Sequence, residues 1–199
     1  MIKVLNLYAC LGGNRYKWDE VAENLEITAI ELDSELARMY KERFPNDTVI
    51  VADAHQYLLD HYKEFDFIWS SPPCPTHSRT NYFLNAQGII RYPDMSLWQE
   101  IILLNTFYKG KFCIENVISY YEPMFNPQLL GRHYIWSNFK IPNIDLPKND
   151  IGKMCGKNQT ASKKTKEERN AVNSDLGLHI LNTALGINNK SNTKQLELL

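Results

Sequence analysis

The 199-residue chain has no long hydrophobic run. Its most apolar helical stretch, "EIILLNTF" at 100–107, is far shorter than a bilayer demands, so no membrane association is expected. No cleavable leader is expected either. The apolar start of "MIKVLNLYACLGG" runs straight into a glycine turn without a cleavage region, and reads as a first strand. Cysteine is sparse: Cys10, Cys74, Cys113 and Cys155 form no Cys-x-x-Cys pair and no Cys/His spacing of a zinc site. Reduced thiols and no metal are the expectation. Neither sign of charge dominates, with 22 Lys and Arg against 23 Asp and Glu and a net charge of −1, which leaves a nucleic-acid partner open. Internal repeats and a second domain are also lacking.

What is present is the composition of an ordinary soluble domain, 44% apolar and 23% charged, long enough for one core. Short apolar runs read as strands buried on both faces: "KVLNLYA", "EITAIEL", "TVIVAD", "FDFIWSS" and "KFCIENV". Helical patterns alternate with them: "WDEVAENL", "DSELARMYKERF", "AHQYLLDHYKEF" and "SLWQEIILLNTFY". That alternation predicts an α/β fold with a mostly parallel, doubly wound sheet. Residues 1–139 are expected to form the core sheet and site, with "GRHYIWSNFKI" as one further strand. Residues 140–169 read as a short, mobile segment; Lys153, Lys157, Lys163, Lys164, Lys166 and Arg169 face only Glu167 and Glu168 at its end. A closing helix is expected within 170–187, before a frayed tail at 188–199.

In such sheets ligands meet the carboxyl ends of the strands. The first strand ends in "YACLGGN", whose glycines suit a tight turn that lets backbone approach a cofactor. The second ends in "IELD", where Glu31 can accept hydrogen bonds from ribose hydroxyls; the third ends in "VADAH", with Asp53 placed to meet an adenine amine. Each of these taken singly has a plain structural reading, as a turn or a solvated edge. Three at consecutive strand ends fit one nucleoside-containing cofactor. The fourth strand runs into "SSPPCPTHS", where prolines on both sides fix Cys74 and point to a reactive thiol rather than a small core residue. The fifth ends in "IENV". A carboxylate emerging there is costly to bury as an anion, so Glu115 is expected to be protonated or to grip a polar substrate.

With these residues in order, the chain resembles the cytosine-C5 DNA methyltransferase family. "NLYACLGGN" resembles its cofactor loop, Phe-x-Gly-x-Gly-Gly; "SPPC" its Pro-Pro-Cys nucleophile motif; and "ENV" its Glu-Asn-Val. "LWQEI" resembles the helix start enclosing the cofactor, "QLLGR" its Gln-x-Arg-x-Arg, and "NAVNSDLGLHIL" its closing segment and helix. The resemblance implies a Rossmann-like fold and S-adenosylmethionine as cofactor. It places Tyr8, Ala9, Cys10, Leu11, Gly12, Gly13, Glu31, Leu32, Asp53, Ala54, Ser71, Pro72, Asn170, Ala171 and Val172 around that cofactor. It implies that Cys74 attacks cytosine C6, that Glu115 holds N3 and the exocyclic amine, and that Arg132 reaches O2. Pro73, Ser78, Asn116 and Val117 are expected beside the base, with Asn116 fixing loop geometry. The implied partner is double-stranded DNA with a flipped cytosine, and the implied location is the cytoplasm of a prokaryotic or phage-infected cell.

Three departures stand out. Cys10 replaces the loop's first glycine, where a side chain would crowd the methionine portion. Leu130 replaces the first arginine of Gln-x-Arg-x-Arg. Residues 140–169 are too few for an independent recognition domain. Recognition is therefore expected to be simple, or supplied by the loop 75–96, or by a protein partner or self-association. The same chemistry on RNA or a free cytosine nucleotide, and a binding subunit that needs a partner, stay open.

Overall fold

The computed structural model describes residues 1–21, 24–145 and 172–187. Residues 146–169 of the expected segment 140–169 and the tail lie outside them, as do Asn170 and Ala171.

Five strands are parallel: β1 (Ile2–Leu7), β2 (Leu25–Glu31), β3 (Thr48–Val51), β4 (Phe67–Ser70) and β5 (Lys111–Val117). Two more, β6 (Gln128–Leu130) and β7 (His133–Ser137), form a hairpin whose β7 runs antiparallel to β5. The order across the sheet is β3-β2-β1-β4-β5-β7-β6. The chain starts in the middle, winds to one edge, then returns to wind the other way. All four residues of β4 are buried, which is why it reads as a continuous apolar run instead of an alternating one.

Helices α1 (Ser34–Arg43), α2 (Ala54–His61), α3 (Asn81–Ala86), α4 (Ser96–Phe107) and α5 (Ser174–Leu185) follow in chain order. On one face Leu5, Leu7, Ile68, Phe112 and Ile114 pack against Leu58 of α2 and Trp98, Ile101 and Leu104 of α4. On the other, Val4, Ile27, Trp69, Cys113 and Ile135 pack with Trp18 against Leu176, Ile180 and Leu181 of α5. Caps fix the helix starts. Asp33 accepts from Glu35 N and Leu36 N, Asp53 from Gln56 N, and Asn173 from Asp175 N and Leu176 N. Gly186, with φ 68°, ends α5 in the left-handed conformation that glycine adopts without strain.

Where a helix was expected over "WDEVAENL", the described residues before β2 contribute a three-residue 3-10 turn, Trp18–Glu20. The place of that helix on the sheet is held by α5. Trp18 is fully buried, and its indole N–H donates to the Gly177 carbonyl at 3.2 Å. A Cβ on Gly177 would come within 2.1 Å of the Asn14 carbonyl oxygen, so the close approach of α5 to the first loop requires glycine there. Two elements were not anticipated: β6, too short for periodicity to declare, and α3 inside the loop 75–96.

Candidate active site

The loop after β1 takes the left-handed conformation three times, at Tyr8 (φ 55°), Cys10 (φ 45°) and Gly12 (φ 69°). Only the last is a glycine. Side chains hold this costly path from several directions. Cys10 N donates to Glu31 Oε2 at 2.8 Å, Arg43 Nη1 donates to Leu11 O at 2.8 Å, and Gly12 N donates to Ala9 O at 2.8 Å. Asn14 Nδ2 donates to Oδ1 of the buried Asn6 at 2.8 Å. Behind it Arg15, 4% exposed, pairs with Asp47 at 3.0 Å. Glu31 thus organises the loop, its second oxygen accepting from Asp33 N at 3.0 Å. Asp33 Oδ1 accepts both N–H groups of the α1 cap, so two oxygens of Glu31 and one of Asp33 are engaged by backbone.

Tyr8 carries a further anchor. Its hydroxyl donates to Glu100 Oε1 at 2.7 Å, Ser70 Oγ donates to Glu100 Oε2 at 2.6 Å, and His55 Nδ1 lies 3.0 Å from Oε1. Glu100 is fully buried in α4 and draws together the ends of β1 and β4 and the start of α2. Hydrogen bonding to Glu100, offset by burial, raises the pKa of His55. Sequence reasoning passed over both residues, although a carboxylate inside the apolar helix "SLWQEIILL" is the kind of signal that marks a buried polar network.

Of the other expected cofactor residues, Asp53 uses one oxygen in the α2 cap, at 2.8 Å from Gln56 N. Leu32 is exposed, while Ala54 is buried in the core beside Leu58. Ser71 accepts from the Trp69 indole N–H at 2.8 Å and begins the proline segment. Val172 packs against the α5 face of the core. An acidic group at the β2 end, Asp53 at the β3 end and a backbone loop fixed at the β1 end form a donor set suited to S-adenosylmethionine.

Cys74 lies four residues beyond β4, half-buried. Its carbonyl accepts from His77 N and Ser78 N, both at 3.0 Å, which closes the chain into a turn behind the thiol. Asn116 locks this segment to β5: Nδ2 donates to Pro72 O at 3.0 Å, and Oδ1 accepts from Val117 N at 2.9 Å. Pro73, next to the cysteine, is exposed. Ser78 Oγ accepts from Thr80 N at 3.3 Å, and Ser78 bridges Ser119.

Glu115, near the end of β5, is 7% exposed. Burial pushes its pKa up to about 7, with only a Ser71 hydrogen bond acting the other way. At neutral pH much of it is therefore the neutral acid. His133 of β7 places Nε2 3.5 Å from Glu115 Oε1. Burial, with Arg132 adding to it, lowers its pKa to about 4, so this imidazole is neutral. Arg132 occupies the β6–β7 turn with Gly131, exposed. Leu130 is a core residue, 3% exposed among Ile135, Cys113 and Leu181. Among the described residues no group of His, Cys, Asp and Glu is arranged to hold a metal ion, and no helix is long and apolar enough to cross a membrane.

The sheet order, the single antiparallel strand and the polar groups gathered at the carboxyl ends define a Rossmann-like fold of the S-adenosylmethionine-dependent methyltransferase class. Residues 2–124 match the family described as C-5 cytosine-specific DNA methylase, and the chain belongs to that family. Solved structures similar to it include a triple mutant of Spodoptera frugiperda DNMT2, with 24% identity, 59% of this chain and 36% of that one covered, and a TM-score of 0.42. Another is the Entamoeba histolytica methyltransferase EhMeth, with 16% identity, coverage of 59% and 38%, and a TM-score of 0.39. A third is the plantazolicin methyltransferase BamL in complex with SAH and a plantazolicin analogue, with 14% identity, coverage of 58% and 38%, and a TM-score of 0.39. The chain thus spans little more than a third of the length of these structures. No curated protein matches it.

Proposed function

We propose that this protein transfers a methyl group from S-adenosylmethionine to C5 of cytosine in DNA through a covalent adduct with Cys74. The observation that carries the reading is the pairing of a turn-fixed cysteine after β4 with a buried glutamic acid, its pKa raised to about 7, on the adjacent strand β5. Cytosine is a weak carbon nucleophile at C5. Bond formation between Cys74 Sγ and C6 moves the C5–C6 π electrons toward N3, which takes the Glu115 proton. Glu115 is then a carboxylate. S-adenosylmethionine, when bound, supplies the electrophilic methyl group that C5 takes up. Loss of the C5 proton to a base and return of the N3 proton to Glu115 restore the C5–C6 double bond and release Cys74 as thiolate.

In this reading Arg132 meets O2 of the base, and Asn116 keeps the proline segment in register with β5. Pro73, Ser78 and Val117 line the base site. The cofactor rests on residues 8–13, Glu31, Leu32, Asp53, Ala54, Ser71 and Pro72, closed by the segment at Asn170, Ala171 and Val172. Residues 1–139 are the catalytic core, and target recognition falls to the loop 75–96 or to a protein partner. A duplex cytosine has to leave the stack to be reached on both ring faces.

The test is transfer of tritium from labelled S-adenosylmethionine to duplex DNA and to transfer RNA in separate reactions, each digested to nucleosides. Label in 5-methyldeoxycytidine that disappears in Cys74→Ala is the expected result. Label confined to 5-methylcytidine would reassign the substrate to RNA. Cofactor binding without label in either would overturn the reading of a self-sufficient enzyme.

A further inference from the structure

Glu115 has an unusual neighbour. The β6–β7 hairpin pairs Leu130 with His133 and lays β7 along β5, so that Glu115 faces Ile135 and Val117 faces His133. His133 and Ile135 are two residues apart on one strand and share a face of the sheet, which turns the His133 ring toward the Glu115 carboxyl. Nε2 stands 3.5 Å from Oε1, and both side chains are largely buried, at 14% and 9% exposed. Leu130, where the resembling family carries an arginine, is sequestered in the apolar core. The Ser71 hydroxyl after β4 hydrogen-bonds this carboxyl, the buried Cys113 thiol two residues back on β5 feels its charge, and Arg132 in the hairpin turn acts on His133. From helix α5, Leu176, Ile180 and Leu181 pack in the same apolar cluster as Cys113 and Ile135.

We propose that His133 is a positioning residue for Glu115, presenting a neutral imidazole Nε2–H to the oxygen that becomes charged when Glu115 gives its proton to the base. This inference rests on the cytosine-methylating reading above. The chemistry asks Glu115 to do two opposed things. It has to hold a proton before attack, and to tolerate the negative charge for as long as the adduct lasts. A cation beside it would favour the second at the cost of the first, because it would ionise the acid in advance. A neutral N–H donor leaves the acid protonated at rest and interacts more strongly once charge develops. In a dry, low-dielectric surrounding that difference is amplified. The donor also fixes orientation: with Oε1 turned to His133, Oε2 is left to carry the proton toward the base.

The test compares His133→Phe, which keeps a flat ring and removes the donor, with His133→Gln, which keeps an N–H. Two readouts are taken on proteins shown by thermal unfolding to be folded. The first is turnover on cytosine-containing DNA. His133→Phe is expected to lose about a hundredfold in kcat with KM changed little, and His133→Gln to recover to within about tenfold of wild type. The second needs no substrate: titration of the Glu115 side-chain carboxyl by carbon-13 NMR. It is expected to move upward by about half a pH unit or more in His133→Phe and to return in His133→Gln.

A Glu115 titration that is unchanged or shifted downward in His133→Phe overturns the proposal, since a lost donor can only disfavour the anion. Equal losses of kcat in the two variants overturn it as well, because packing alone would then explain them. If wild-type protein methylates no cytosine at all, the functional reading falls, and the carboxyl titration still decides the role of His133.

Discussion

Folding moves the protons of Glu115 and His133 in opposite directions. The Glu115 carboxyl holds its proton to about pH 7, against an ordinary value of 4.5, so the folded state binds the extra proton between those limits and stability falls as pH rises through them. His133 behaves inversely. Its pKa drops from 6.5 to about 4, so the unfolded state binds the extra proton and stability is lost as pH falls through that window. From about pH 4.5 to 6.5 the two slopes, each roughly 1.4 kcal/mol per pH unit, nearly cancel. Glu115→Gln is therefore expected to leave a stability that rises with pH below 6.5, and His133→Phe one that falls with pH above 4.5. Urea midpoints across pH 4.5–7 would show it; parallel curves for both variants would mean that the carboxyl is not buried as described. A second residue-scale expectation concerns Cys10. A non-glycine side chain at φ 45° carries strain, so Cys10→Gly is expected to gain about 1 kcal/mol and to tighten binding of S-adenosylhomocysteine in calorimetry. Unchanged stability would show that the loop accepts the cysteine without cost.

At the scale of elements, a single carboxylate ties four of them together. Glu100 of α4 accepts from Tyr8 beyond β1 and from Ser70 at the end of β4, and it faces His55 at the start of α2. Glu100→Ala leaves those buried hydroxyls without their acceptor. A loss of about 3 kcal/mol in unfolding free energy is expected, with affinity for S-adenosylhomocysteine falling about tenfold as Tyr8 is released. Loss of stability with unaltered affinity would separate the network from the cofactor loop. The same scale shows why the first crossover is a 3-10 turn. Trp18 is buried against Phe67, Trp69 and α5, so the described part of this connection fills the sheet face with one anchored side chain instead of a helix.

For the whole molecule, the segment 79–95, anchored by the buried Asn81, presents a set of exposed aromatic residues. Tyr82, Phe83, Ile90 and Tyr92 are all more than half exposed, beside Arg79 and Arg91, on a segment that starts five residues after Cys74. Aromatic faces next to guanidinium groups suit contact with nucleic-acid bases and phosphates. Replacing Tyr82, Phe83 and Tyr92 together by Ser is expected to shift stability by less than about 1 kcal/mol while weakening DNA binding about tenfold or more in anisotropy titrations at fixed salt. Undiminished binding would place recognition elsewhere.

The order of strands and helices was legible because buried parallel strands are short continuous apolar runs, and the residues after them, Glu31, Asp53, Cys74 and Glu115, stand out by chemistry alone. The caps at Asp33 and Asn173 and the terminal Gly186 are local in the same way: each satisfies a backbone group within a few residues. Other features depended on residues far apart in the chain. Trp18 became a core anchor only because α5 arrives from more than 150 positions away, as the indole bond to Gly177 records. Leu130, legible in sequence as a missing arginine, became a core side chain, and His133, unremarkable in "GRHYIW", became the neighbour of Glu115. The sequence by itself determined which residue types stand at the strand ends, since periodicity and turn chemistry are short-range properties. Only the tertiary structure decided which of them are buried and beside which neighbours, because burial, and the pKa shifts it causes, come from the whole sheet closing around them.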